Sequence, residues 1–158
     1  MIEARRFRTI LVPTDFSATA DRALEVVQTL VRSAGPAEVI VAHANFMPRE
    51  LEALALRGPQ RVFDELDHYA LEQLDKRLAE LEAAGVSARQ VHENGRPDEV
   101  IVSLAQREHA DLIVIGTHGR SGLSHVLLGS VAERVLRQAP CPVMTVPPAE
   151  KVSGEESS

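Results

Sequence analysis

Three short runs of unbroken apolar residues constrain this chain more than any other feature. ILV at 10–12, VIVA at 39–42 and LIVI at 112–115 show no alternation between apolar and polar positions. A strand with one wet face alternates; a strand covered on both faces does not. Between these runs the period changes to the helical one. Ala20, Ala23, Leu24, Val27, Leu30 and Val31 recur at helical spacing behind Ser17, a residue suited to cap a helix start. Strand and helix therefore alternate, which implies a parallel sheet wrapped by helices on both sides.

The expected elements follow in order. A strand at 7–12 stops at Pro13, and a helix over about 17–33 ends at Gly35-Pro36. A second strand covers 38–44. Residues 45–58 read as irregular, and a long helix over 59–84 opens on Pro59, with Leu71, Leu74, Leu78 and Leu81 as its apolar stripe. Residues 50–84 carry nine acids and four bases, the pattern of a solvated helix face. A weaker strand at 86–92 suits a sheet edge. Asn94-Gly95 reads as a turn, and Pro97-Asp98-Glu99 opens a helix that ends near His109. Strands at 111–115 and 142–146 flank a glycine-punctuated loop and a helix over 130–138. Residues 1–147 are expected to form one domain and 148–158 a polar, disordered tail.

Composition removes several function classes. The net charge of −6 and 3% aromatic content speak against nucleic acid as a partner, which needs basic surface or stacking platforms. The single cysteine, Cys141, excludes an intramolecular disulfide and any zinc site built on several cysteines, and it reads as a small buried apolar residue. The histidines lack metal-ligand spacing, so no protein-bound metal is expected. No apolar run reaches the ~18 residues of a membrane span. The apolar run near the N-terminus stops at Pro13, too short for a signal-peptide core, so a cytoplasmic location is expected.

In a doubly wound sheet the ligand sits beyond the C-terminal strand ends, where strand order reverses. The loops after the first and fourth strands are thus the candidate site. The second of these holds Gly116, Gly119, Gly122 and Gly129-Ser130. Glycine lets backbone amides approach a ligand, successive amides can form an anion nest, and a helix start adds free N–H groups. A bare tight connection explains the same glycines equally well. A Walker loop is excluded because no Gly-Lys pair occurs. The dinucleotide fingerprint is excluded because the spacing is Gly-x2-Gly-x2-Gly and follows the fourth strand rather than the first. Asp15 suits a turn or cap, and Ser17 and Ser130 suit helix caps. His43 suits a packed, hydrogen-bonded histidine, and His118 suits a turn.

The spacing Gly116-x2-Gly119-x9-Gly129-Ser130 resembles the nucleotide-binding signature of the universal stress protein family. ILVPTDFSATADRAL at 10–24 resembles that family's first strand and helix, and APCPVMTVP at 139–147 its last strand. The resemblance implies a Rossmann-like α/β/α fold with strand order 3-2-1-4-5. It implies membership of the ATP-binding subgroup, with ATP, or AMP or ADP, as cofactor and Mg2+ carried by the phosphates. Carried over, Gly116, Gly119, Gly129, Ser130 and Val131 would line ribose and phosphates. Ile115 would flank the nucleoside, Asp15, after Pro13 and Thr14, would meet the adenine edge, and Ala44 would meet the base through its backbone. Arg120 is a candidate for the terminal phosphate. The implied role is a stress-response switch acting through conformation or an unidentified protein partner, with a homodimer paired along the last strand. Alternatives are a slow ATPase or adenylate-transferring enzyme, and a partner-binding protein with a vestigial pocket. No residue is assigned as catalytic.

Overall fold

The computed structural model describes residues 7–48, 50, 59–118 and 128–149. Five parallel strands form one sheet: β1 (Thr9–Pro13), β2 (Glu38–Asn45), β3 (Ala88–Asn94), β4 (Leu112–Gly116) and β5 (Val143–Val146). Their order is β3-β2-β1-β4-β5, all parallel, as the resemblance implied. Four helices are described: α1 (Ala18–Ala34), α2 (Pro59–Ala83), α3 (Pro97–Arg107) and α4 (Ser130–Gln138).

The apolar runs are buried on both faces because successive side chains point to opposite sides. Ile10, Val12, Val39, Val41, Leu112 and Val114 enter one core layer with Ala23, Leu24 and Val27 of α1 and Leu74 and Leu81 of α2. Leu11, Ile40, Ala42, Ile113 and Ile115 enter the other, against Val100, Ile101 and Leu104 of α3 and Ala132 and Val135 of α4.

Local signals set most boundaries. The Ser17 side chain accepts from the Ala20 N–H at 3.2 Å and starts α1, and Gly35 at φ +104° ends it. Pro97 opens α3, with Asp98 and Glu99 in its first turn.

Two expectations need correction. The third strand starts at Ala88, not at Val86. Gly85 takes φ +79°, and the Val86 N–H donates to the Leu81 carbonyl at 2.9 Å, so Val86 closes α2 instead of opening β3. Leu71 also leaves the expected stripe. It is exposed, and the buried row runs through Ala70, Leu74 and Leu81. The expected tail from 150 onward and most of the 45–58 segment lie outside the described residues.

β1 pairs β2 on one side and β4 on the other, so the strand order reverses between β1 and β4. α1 starts shortly after the C-terminal end of β1, and α4 is reached from β4 through residues 117–129, of which 119–127 lie outside the described residues. That arrangement places the candidate site.

Candidate functional site

A cavity of about 320 Å³ opens at this reversal point. Its size lies at the low end of the ~300–1,000 Å³ usual for small-molecule pockets. Pro13, Thr14 and Asp15 reach it from the end of β1, and Ala44 from β2. Ile115 and Gly116 reach it from β4, and Gly129, Ser130 and Val131 from the start of α4. The fold thus gathers nine of the eleven expected site residues around one space. The other two, Gly119 and Arg120, lie outside the described residues.

The loop carrying Asp15 is held by its own hydrogen bonds. The Thr14 N–H donates to the Ala42 carbonyl at 2.8 Å, which continues the β1–β2 ladder by one residue. Thr14 Oγ1 accepts from the Phe16 N–H at 3.0 Å, and Asp15 Oδ1 accepts from the Ser17 N–H at 2.9 Å. Asp15 therefore does serve the turn, and the residue also lines the cavity. Phe16 takes φ +66°, a left-handed conformation uncommon for a residue other than glycine.

The opposite rim belongs to α4. The Gly129 N–H donates to the Thr117 carbonyl, and the first intrahelical bond runs from the Glu133 N–H to the Gly129 carbonyl at 3.0 Å. Helix geometry gives the N–H groups of Ser130, Val131 and Ala132 no acceptor within the helix. All three residues line the cavity. Gly129 itself is the N-cap, and Ser130 is the exposed first residue of the helix rather than its cap.

Gly116 has a packing duty besides its place on the cavity wall. A Cβ there would lie 2.9 Å from Thr19 Cγ2 and 3.2 Å from the Thr19 carbonyl carbon and oxygen. Close approach of α1 to β4 requires this glycine, whatever occupies the cavity. Its φ is not in the left-handed region either.

Several lining residues carry no local signal of the role. Pro97, Val100 and Ile101 bring the start of α3 to the wall, and Ala20 and Ala42 add apolar surface. Thr117 is buried; its N–H donates to the Val146 carbonyl at 2.9 Å, and its hydroxyl lies 2.8 Å from His118 Nδ1. His43 lines the cavity while being hydrogen-bonded and stacked, so the packed-histidine expectation holds together with a place at the site. Among the described residues no group of three or more His, Cys, Asp or Glu is placed to hold a metal ion.

The sequence model of the Universal stress protein family matches residues 6–147. The chain belongs to the universal stress protein family. Universal stress protein MJ0577 of Methanocaldococcus jannaschii is 32% identical, over 89% of this chain and 94% of that one. Its solved structure superposes with a TM-score of 0.83, covering 93% of this chain and all of the other. A universal stress protein of Thermus aquaticus is 35% identical over 89% of this chain and 98% of its own length. A solved universal stress protein in complex with cAMP matches at 27% identity with a TM-score of 0.63, covering 90% of this chain and 98% of that one.

In this universal stress protein the cavity combines apolar walls with two polar ends of opposite character. Asp15 can accept from an amine or hydroxyl, and the α4 start can donate N–H groups to an anion. A ligand with a flat apolar body, a donor edge and a negative group matches that distribution. One helix end contributes only ~0.3–1 kcal/mol toward an anion, so several amides must act together.

Proposed function

We propose that this universal stress protein binds an adenine nucleotide at the β1–β4 reversal point, with ATP as the principal ligand and AMP or ADP as further occupants. The carrying observation is that one cavity is lined both by Asp15 and by Ser130, Val131 and Ala132, the first turn of α4, whose N–H groups have no acceptor within the helix. Asp15 would accept from the adenine amine, and Ala44 and Ile115 would flank the nucleoside. Gly116 and Gly129 would line the ribose through their backbone, and the α4 amides with Ser130 would hold phosphate. The expected Gly119 and Arg120 contacts belong to the same reading. Mg2+ would arrive on the phosphate oxygens. The 27% identical structure holding cAMP supports an adenine nucleotide as the ligand class.

The output of such a site is a change of conformation or partner, not turnover. Phosphoryl transfer usually needs a carboxylate-held metal, and among the described residues no group of three or more His, Cys, Asp or Glu is placed to hold one. The test is a thermal and calorimetric titration of the full chain with ATP, ADP, AMP and cAMP, with and without Mg2+. A ligand at 100 times its Kd should stabilise the protein by about 2.7 kcal/mol. A flat melting curve with all four at millimolar concentration would overturn the proposal. Phosphate release above the buffer rate would move the reading toward the ATPase alternative.

A further inference from the structure

A polar chain runs from the Asp15 loop outward across β2 to α2 and β3. His43 Nδ1 lies 2.8 Å from the Thr14 carbonyl oxygen, and His43 Nε2 lies 3.0 Å from Asn45 Oδ1. Asn45 Nδ2 donates to Asp67 Oδ1 at 2.8 Å, and His92 Nε2 lies 2.7 Å from the same carboxylate oxygen. Asp67 fixes the Asn45 amide, because a flipped amide would turn its oxygen toward the carboxylate. Both ring nitrogens of His43 thus face oxygens that only accept. A neutral imidazole has one N–H and can serve one of them; the imidazolium serves both.

His92 is the opposite case. Its Nε2 lies 2.7 Å from Asp67 Oδ1 and 3.3 Å from Asn45 Nδ2, and its Nδ1 is buried with no partner among the described residues. The two rings stack in parallel, with centroids 5.6 Å apart and planes 6° apart. Among the described residues, the charged groups near His43 include Asp67 on α2, linked to it through Asn45, Asp15 on the shared cavity wall, and Arg77, whose guanidinium lies 4.8 Å from the Phe16 ring. Phe16 separates Arg77 from His43, stacking on the imidazole at 4.3 Å. Two carboxylates favour the cation; partial burial and the screened Arg77 oppose it.

We infer that His43 is a positioning residue for the Asp15 loop, and that its protonated ring makes nucleotide affinity dependent on pH. The imidazolium grips the Thr14 carbonyl on one side of Asp15, and its face supports the left-handed Phe16 on the other. Loss of the proton leaves one of the two oxygens without a donor. The grip on the loop is complete below the His43 midpoint and lost as pH rises through it. By linkage, bound nucleotide raises that midpoint. The affinity half of this inference rests on the nucleotide reading of the cavity; the charge of His43 does not.

The test has two arms. In the ligand-free full chain, imidazole resonances are followed by NMR from about pH 5 to pH 9, with His43 identified by the signal missing in His43→Gln. The expected midpoint lies above the ordinary ~6.5 and falls in Asp67→Asn. A midpoint below ~6.5 would overturn the inferred charge. In the second arm, ATP affinity is measured by calorimetry from about pH 6 to pH 9 in the wild type and in His43→Gln. The titration of the terminal phosphate appears in both and cancels. The wild type should lose about fivefold more affinity than the variant, the worth of one hydrogen bond. Parallel profiles would overturn the positioning role. Should His43→Gln fail to fold, Asp67→Asn must shift the wild-type profile to lower pH, and an unshifted profile counts against the inference. Absence of ATP binding at every pH would sink the nucleotide reading and leave the first arm to decide the charge.

Discussion

Thr19 occupies the space that any side chain at residue 116 would need. Its Cγ2 lies 2.9 Å from the position of a Cβ on Gly116, and its carbonyl oxygen 3.2 Å away. The first glycine of the signature is thus fixed by packing between α1 and β4. Gly116→Ala should destabilise the fold by roughly 1–3 kcal/mol, measured by urea denaturation. Thr19→Ser in the same chain should recover only part of the loss, because the Thr19 backbone remains in place.

Asp15 has one role in the turn and one proposed toward the base, and two substitutions separate them. Asp15→Asn keeps an oxygen for the Ser17 N–H, so its stability should match the wild type. Its ATP affinity should still fall by ~1–3 kcal/mol, since a charged acceptor is replaced by a neutral amide. Asp15→Ala should lose both, read by calorimetry for affinity and by thermal melting for stability.

Cys141 lies partly buried against the α3–α4 core layer. Desolvation pushes its thiol above the ordinary value, and the negative charge of Asp111 adds to the shift. A thiol whose folded value is raised stabilises the fold below its unfolded value and loses that contribution as pH climbs through the folded one. The difference in unfolding free energy between wild type and Cys141→Ser should therefore shift against the wild type from about pH 8 to about pH 10. Alkylation at neutral pH should be slower than that of a free thiol.

β5 is an edge of the sheet, and the proposed homodimer would form along it. The Ile113 N–H donates to the Pro142 carbonyl at 3.0 Å and the Thr117 N–H to that of Val146 at 2.9 Å. Even-numbered positions of β5 thus face β4, and by alternation the backbone of Val143 and Thr145 faces outward. Thr145→Pro removes an outward N–H without cutting the β4–β5 ladder. Light scattering should show the proline variant at the monomer mass of 17.2 kDa and the wild type at twice that. Equal masses would count against pairing through this edge.

The central strands were legible because burial on both faces leaves an unmistakable apolar run, as in VIVA and LIVI. The edge strand was misplaced at its start because Val86 looks like a strand residue yet caps a helix, and only the Gly85 conformation distinguishes the two. The rim residues from β1, β4 and α4 were accessible through chain-local motifs. Pro97, Val100 and Ile101 were not, because α3 reaches the cavity only through sheet packing, and an apolar helix face carries no sign of which neighbour it meets. His43 was legible as a bonded histidine, but its two acceptors come from a preceding loop and a neighbouring amide that only the fold assembles.

The Gly129 N–H bonded to the Thr117 carbonyl, with Thr117 in turn bonded to Val146, acts as a clasp at the neck of the stretch between β4 and α4. Entry and exit are tied to the sheet independently of what the intervening sequence spells. Relatives can therefore lengthen, shorten or recode that stretch while the frame that holds its two ends stays in register.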